Sequence, residues 1–194
     1  MNLPNKLTIM RIILVPFCMF FIAFTGMNDL IARLIAVVLF AATAITDMLD
    51  GKIARKYNLI TDFGKFLDPV ADKLLIIGSY LAILVRYRYN DVFCQVMFWC
   101  LFVIFFRELA VTSLRMIVAD KVVIAADKFG KIKTVSQMAC VILVLLEPVI
   151  FGTLIPVDSH MVITYVTVVF SAVMTLLSGL NYFKSFWPYI NPNK

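Results

Sequence analysis

Histidine is nearly absent from this sequence of 194 residues, and charged residues make up only 15% of it. The single histidine, His160, excludes a metal centre built from several imidazoles and argues against covalent catalysis through a Ser–His or Cys–His pair. No P-loop pattern is present, so nothing points to ATP. The four cysteines form no CxxC pair and lie inside apolar runs, which is typical of small buried side chains.

The residues that fill the chain are mostly apolar. Hydrophobic residues make up 62% of it and the mean hydropathy is +0.95, whereas soluble domains contain roughly 45–50% apolar residues. The composition therefore predicts an all-α integral membrane protein, and the length predicts a single domain over residues 1–194. Six apolar segments are each long enough to form a transmembrane helix, at residues 6–25, 30–55, 62–86, 91–118, 131–151 and 158–184.

The first segment resembles a signal peptide, because Lys6 and Arg11 precede an apolar run over residues 12–24. It lacks a small-residue cleavage site before Gly26, so we interpret it as the first transmembrane helix.

Basic residues predict the orientation of the bundle. The N-terminus, the 47–73 and 107–133 regions and the C-terminus hold all Lys and Arg residues except Arg33, Arg86 and Arg88. The positive-inside rule then predicts a multi-pass protein of the cell membrane with both termini in the cytoplasm. A nucleic-acid partner is excluded, because the basic residues lie at helix ends rather than in one solvated patch. The polar helix ends of this side predict one cavity in the cytoplasmic leaflet.

Two pairs of carboxylates border the apolar runs of that leaflet. Asp47 and Asp50 are three residues apart, and Asp68 and Asp72 are four apart, so each pair occupies one helix face. Four anions in a low-dielectric cavity repel one another, and two divalent cations would balance them. Oxygen ligands favour a hard ion, so the expected cofactors are two Mg²⁺ or Mn²⁺ ions per site.

Small and basic residues lie between the two pairs. Gly51, Ala54 and Gly64 would permit close approach of a ligand, although small residues also serve helix packing. Arg55 supplies a cation for phosphate oxygens or acts as a membrane-surface anchor. Asp62 follows a threonine and is interpreted as a helix N-cap.

The stretch DMLDGKIARKYNLITDFGKFLDPVAD (47–72) has the pattern D-x2-D-G-x2-A-R-x8-G-x3-D-x3-D. This pattern resembles the signature of the CDP-alcohol phosphotransferases at all eight fixed positions, and the six-helix layout extends the resemblance to the whole chain.

The resemblance implies transfer of a phosphate-linked group from a CDP-alcohol to a hydroxyl, with release of CMP. It implies that the four aspartates bind two metals and that Asp72 is the general base. It also implies a homodimer. The residues implied to lie around the CDP moiety are Gly51, Ala54, Arg55 and Gly64, with Asn5, Thr8 and Arg11 of the N-terminal NKLTIMR.

The acceptor is indicated by cations further along the chain. Arg107, Arg115, Lys131 and Lys133 lie at the predicted cytoplasmic ends of helices 4 and 5, and they suit an acceptor that carries a phosphate or serve only as anchors. In a regular helix Lys131 and Lys133 point about 200° apart, so both cannot face the cavity. Glu108 would orient an arginine or offset the local charge.

Some family members transfer a phosphatidyl group from CDP-diacylglycerol to glycerol 3-phosphate. This chain resembles them in the stretches FRELAVTSLR (106–115) and GKIKT (130–134). The alternatives are other acceptor alcohols, such as inositol phosphate or serine, and a divalent-cation transporter. Acids at one membrane face rather than at the midplane argue against the transporter.

Overall fold

Six long α-helices make up most of the chain that the structure describes. The computed structural model describes residues 2–24, 26, 28–57, 59, 61–118, 128–151 and 161–189, without the side chains of Met48, Arg55 and Lys128. Over these residues it contains no β-strand, and a 3₁₀ turn over Trp187–Tyr189 follows the last helix. The helices are α1 (Leu3–Ala23), α2 (Asp29–Lys56), α3 (Asp62–Arg86), α4 (Asp91–Val118), α5 (Lys128–Phe151) and α6 (Val162–Phe186).

The sequence predicted these helices to within a few residues. The bounds of α3 and α4 agree with the predicted segments, and α2 extends its segment by one residue at each end. Both α1 and α5 begin three residues earlier than expected. Residues 158–160 of the sixth predicted segment lie outside the described residues.

Side-chain caps mark where α1, α2 and α3 begin. Asn2 accepts a hydrogen bond from the backbone N–H of Asn5, and Asn28 accepts one from that of Leu30. Thr61 Oγ1 accepts a hydrogen bond from the backbone N–H of Gly64 at 3.0 Å. Thr61 is therefore the N-cap of α3, and the interpretation of Asp62 as the cap is wrong, since Asp62 is already the first helical residue.

The bundle has two halves of three helices each. α1 packs along α2 and α3, and α6 packs along α4 and α5, while α2 and α3 join the first half to α4 and α5. The shared core is apolar and contains large, fully buried side chains from most helices, including Ile22, Phe40, Tyr80, Phe93, Ile104 and Leu145. In this arrangement α3 contacts α1 in its own half and both α4 and α5 in the other half.

Polar contacts define two ends of the bundle. At the end that we call the site end, Thr8 of α1 contacts Asp68 of α3, and Lys73 of α3 contacts Thr112 of α4. At the far end, Arg86 of α3 pairs with Asp29 of α2, and its Nη1 donates to the backbone oxygen of Ile22 at 2.8 Å. The far-end contacts tie α1, α2 and α3 together.

The exterior of the bundle suits a membrane. Many large apolar side chains are exposed on it, and five of the six helices are long and apolar enough to cross a bilayer. The exception is α3, where Asp72 and Lys73 lie in the middle of the helix near Asp68. The structure thus supports a multi-pass membrane protein, while the sixth crossing and its orientation stay predictions.

The predicted orientation is tested by cysteine labelling. Single cysteines are placed at Tyr89, exposed at the far end, and at Lys184, exposed at the end of α6, after the four natural cysteines are replaced by alanine. We expect a membrane-impermeant maleimide to label Tyr89→Cys in intact cells and Lys184→Cys only after the membrane is opened. The opposite pattern would place the site end outside the cytoplasm.

Candidate active site

One face of α1 enters the group of carboxylates at the site end. Asn5, Thr8 and Arg11 recur every three residues, so they share a helix face, and all three are buried. Thr8 Oγ1 lies 2.9 Å from Asp68 Oδ1 and 3.5 Å from Asp50 Oδ2. The same oxygen also lies 3.1 Å from the backbone oxygen of Pro4, and because a hydroxyl has a single proton to donate, Thr8 donates to one of these three acceptors at a time.

Arg11 joins the two acids of the first pair. Its side chain is fully buried; Nη1 pairs with Asp47 and Nη2 with Asp50. The resemblance implied a place near the nucleotide for Arg11, whereas the structure gives it two carboxylate partners. With Asp68 counted, three negative groups and one positive group leave a formal charge of −2.

This surplus negative charge on oxygen atoms fits a hard divalent cation. Among the described residues, no three acidic, histidine or cysteine side chains already surround one point closely enough to hold a metal ion. The structure therefore brings the two predicted pairs close to each other without closing them into a ligand set. The donor chemistry fits Mg²⁺ or Mn²⁺, and the ion positions stay a prediction.

A cavity of about 220 Å³ opens beside Asp50 and Asp68. It is lined by four of the residues predicted to border a nucleotide and by residues that the sequence analysis did not assign. The predicted residues are Asn5, Gly51, Ala54 and Gly64, and the additional ones include Leu59, Thr61 and Lys65. Thr61 had a recognisable signal, because a threonine directly before an acid and a helix is typical of an N-cap.

Gly64 leaves room for the polar groups at the base of this cavity. A Cβ atom at this position would lie 3.0 Å from Asn5 Oδ1 and 3.3 Å from Thr61 Oγ1. The side chains of Asn5 and Thr61 are themselves hydrogen-bonded, with Nδ2 of Asn5 3.0 Å from Thr61 Oγ1. A larger residue than glycine would therefore displace the Asn5–Thr61 pair.

Asp72 lies one turn beyond Asp68 on α3 and lines a second, narrow cavity of about 10 Å³. The charged residues around this cavity are Asp72, Lys73, Glu108 and Lys133, and Gln137 adds a buried amide. Lys133 forms an ion pair with Glu108, and both side chains are largely buried. Because the cavity is so small, a ligand that carries a phosphate would have to displace part of this ion pair.

The structure distinguishes the two lysines of α5. Lys133 is 7% exposed and faces Asp72 and Glu108, whereas Lys131 is exposed on another face of the helix. The expectation that both cannot face inward agrees with this placement.

The two predicted arginines of α4 lie against α6. Arg107 Nη2 donates to Ser178 Oγ at 2.8 Å, and its Nη1 lies 3.7 Å from Glu108 Oε1. Arg115 Nη2 donates to the Tyr182 hydroxyl at 2.8 Å, and its guanidinium lies 4.9 Å from the centre of that ring. Neither arginine is among the residues that line the cavity of Asp72. The side chain of Arg55, predicted to bind phosphate, lies outside the described part of the chain.

Lys73, Thr112 and Gln137 were not assigned from the sequence. Lys73 directly follows Asp72 and was counted as one more basic residue of the inner face. Gln137 had a usable signal, because it is a polar residue four positions after Lys133 in an apolar helix, and such residues share a helix face.

Comparisons with known proteins agree with the motif. The family model described as CDP-alcohol phosphatidyltransferase matches residues 1–177. A Bacillus subtilis protein named CDP-diacylglycerol–glycerol-3-phosphate 3-phosphatidyltransferase is 39% identical, over 96% of this chain and 95% of its own. A Rickettsia felis protein with the same name is 36% identical, over 95% of this chain and 94% of its own. A Mycobacterium tuberculosis protein named probable phosphatidylglycerophosphate synthase is 35% identical, over 93% of this chain and 79% of its own.

Substituting Gly64 tests the larger cavity. We expect Gly64→Ala to raise the Kd for CDP-diacylglycerol about tenfold, equivalent to about 1.4 kcal/mol, because the added Cβ displaces Asn5 and Thr61. Gly130→Ala is the matched control, since a Cβ there meets nothing within 4 Å. Equal Kd values for the two variants would exclude this cavity as the nucleotide site.

Proposed function

The chain belongs to the CDP-alcohol phosphatidyltransferase family, and from this premise we propose that it transfers the phosphatidyl group of CDP-diacylglycerol to glycerol 3-phosphate. The products are phosphatidylglycerophosphate and CMP, so the enzyme acts in phospholipid biosynthesis. The observation that carries the proposal is the position of Asp72, which lines the cavity that contains Lys73 and Lys133 and lies one helical turn from Asp68 of the larger cavity.

The residues that line the two cavities support separate binding sites for the CDP moiety and for the acceptor. The larger one has the small residues Gly51, Ala54 and Gly64, which permit close approach of the CDP moiety. The smaller one has Lys133, whose buried ammonium favours an acceptor that carries its own phosphate. Arg107 and Arg115 keep the acceptor role as a prediction: Arg107 lies 3.7 Å from Glu108, which lines this cavity, whereas Arg115 contacts Tyr182 of α6. Lys131, exposed on another face, is the weakest of the four predicted acceptor residues.

In this mechanism Asp72 is the general base. The acceptor hydroxyl forms a new bond to the phosphorus that carries the diacylglycerol group, its proton passes to the Asp72 carboxylate, and the bond from that phosphorus to CMP breaks. A single displacement of this kind needs no covalent intermediate on the protein. General-base catalysis by a positioned side chain contributes about 10²- to 10⁴-fold.

Asp47, Asp50, Asp68 and Asp72 would hold two divalent cations, Mg²⁺ or Mn²⁺. When bound, these ions would stabilise negative charge on the phosphate and leaving oxygens. Thr8 restrains Asp68 through its hydroxyl, and Arg11 holds Asp47 and Asp50 at a fixed separation. These contacts come from α1, so the first helix positions the carboxylates of the next two.

The proposal includes the setting of the enzyme. The distribution of basic residues supports a site that faces the cytoplasm, where a water-soluble phosphorylated acceptor is available. The proposal keeps the homodimer that the resemblance implied and the six membrane crossings that the apolar segments predicted, and neither is tested by the family match.

The assignment of the acceptor is tested directly. Purified protein is incubated with CDP-diacylglycerol and Mg²⁺, and CMP release is measured with glycerol 3-phosphate, glycerol, serine, inositol and inositol phosphate. We expect release with glycerol 3-phosphate to exceed the others by at least about tenfold, since a buried lysine contact to phosphate contributes roughly 1.5–3 kcal/mol. Equal CMP release with glycerol and with glycerol 3-phosphate would contradict the assigned acceptor, although transfer from CDP-diacylglycerol to an alcohol would still be supported.

The roles of the four aspartates are tested separately. We expect Asp72→Asn to lower kcat about 10²- to 10⁴-fold, with a smaller effect on CDP-diacylglycerol binding, because it loses the base and keeps the shape of the side chain. Asp47→Asn, Asp50→Asn and Asp68→Asn should also raise the Mn²⁺ concentration needed for half-maximal activity. Asp91→Asn is the control, because Asp91 is exposed at the start of α4 and lines neither cavity. Activity of the wild-type level in any of the four variants would refute the two-metal arrangement.

A further inference from the structure

The two lysines of the smaller cavity have different partners. Lys133 is in an ion pair with Glu108, whereas the Lys73 ammonium lies 2.6 Å from the hydroxyl of Thr112. Within the described residues, no carboxylate lies within ion-pair distance of Lys73. We propose that Lys73 determines acceptor specificity by binding the phosphate of the acceptor, an inference that rests on the proposed function.

The hydrogen bonds of Thr112 fix how Lys73 is held. Thr112 Oγ1 donates its proton to the backbone oxygen of Glu108 at 2.7 Å, so toward Lys73 the hydroxyl acts as an acceptor. One N–H of the ammonium is used in this contact, and an ammonium has three. Lys73 is therefore oriented by α4 and retains donors for a ligand in the cavity.

The charge of the cavity favours Lys73 as the first contact of a phosphate. Asp72 and Glu108 carry two negative charges, and Lys73 and Lys133 carry two positive ones, so the formal sum is zero. A phosphate monoester carries about −1.5 to −2 at neutral pH and needs a cation that is not already neutralised at close range. Lys133 can bind a phosphate only after its ion pair with Glu108 is broken. Lys73 has only a hydrogen bond to the neutral hydroxyl of Thr112, which it can retain or replace when a phosphate binds.

The position of Lys73 beside the proposed base suits an acceptor with two functional ends. Consecutive helical residues point about 100° apart, so Asp72 and Lys73 reach different parts of one ligand. Asp72 takes the hydroxyl that reacts, and Lys73 takes the phosphate at the other end of the same small molecule. This pairing selects an acceptor by its phosphate and aligns its hydroxyl with the base.

The experiment compares Lys73→Met with Lys184→Met in the purified full-length protein. Lys184→Met makes the same change in charge and side chain as Lys73→Met, but Lys184 is exposed at the end of α6 and lines neither cavity. We expect Lys73→Met to raise the KM for glycerol 3-phosphate about 10- to 150-fold, with the KM for CDP-diacylglycerol within about twofold of wild type. Lys73→Arg should recover part of the loss, and Lys184→Met should leave both constants unchanged.

The inference is overturned if Lys73→Met leaves the KM for glycerol 3-phosphate unchanged, or if both KM values rise together with a fall in melting temperature. The second result would show that Lys73 only ties α3 to α4. If Lys73→Met does not fold, Thr112→Val replaces it: a severalfold rise confined to the KM for glycerol 3-phosphate supports the inference, and no change opposes it. Failure of the proposed function is distinguishable, because then the wild-type enzyme itself shows no preference for glycerol 3-phosphate over glycerol.

Discussion

Repulsion among carboxylates is the constraint on which the site end depends. Two like charges about 4 Å apart, in surroundings with an effective dielectric constant of about 20, repel by ~4 kcal/mol. Asp47, Asp50 and Asp68 share contacts with α1, and of the three Asp50 is buried, Asp47 is half-buried and Asp68 is exposed, so solvent screens the repulsion only in part. The fully buried guanidinium of Arg11 offsets part of it from within the group.

This compensation also explains the position of α1. The helix is largely apolar, yet its first three turns place Asn5, Thr8 and Arg11 on the face that meets α2 and α3. The same helix is tied at its other end, where Arg86 donates to the backbone oxygen of Ile22. Polar contacts at both ends therefore fix the register of α1, while apolar packing fills the space between them.

Much of this fold and part of the site were predictable from sequence. Helix bounds follow from local patterns such as the apolar runs and the caps, which is why α3 and α4 agree at both ends. The carboxylate pairs were predictable because residues three or four apart share a helix face. The partners of Arg11 were not predicted, because its contacts with two acids some forty positions away depend on how α1 packs against α2.

The directions of the acceptor-site cations depend on packing in the same way. Arg107 lies against α6 because Gly179 has no Cβ, which would otherwise sit 2.8 Å from Arg107 Cγ. Nothing in the sequence near Arg107 indicates this contact, which joins residues more than seventy positions apart. Lys73 was overlooked for a related reason, since a lysine at a membrane surface is usually an anchor. Its specific role becomes visible only when Thr112 and the cavity are seen beside it.

The division of the bundle into two halves has a consequence for how such enzymes diversify. The larger cavity is built from α1, α2, α3 and the segment before α3, whereas the smaller one receives Glu108 from α4 and Lys133 and Gln137 from α5. Of the described helices, only α3 contributes to both. Under the proposed function, mutations in the second half of the chain alter the acceptor without disturbing recognition of the nucleotide. During evolution, the half of the bundle that forms the nucleotide site can stay unchanged while the other half, which forms most of the acceptor site, changes. Enzymes that make lipids with new headgroups can therefore arise through mutations in the second part of the gene alone.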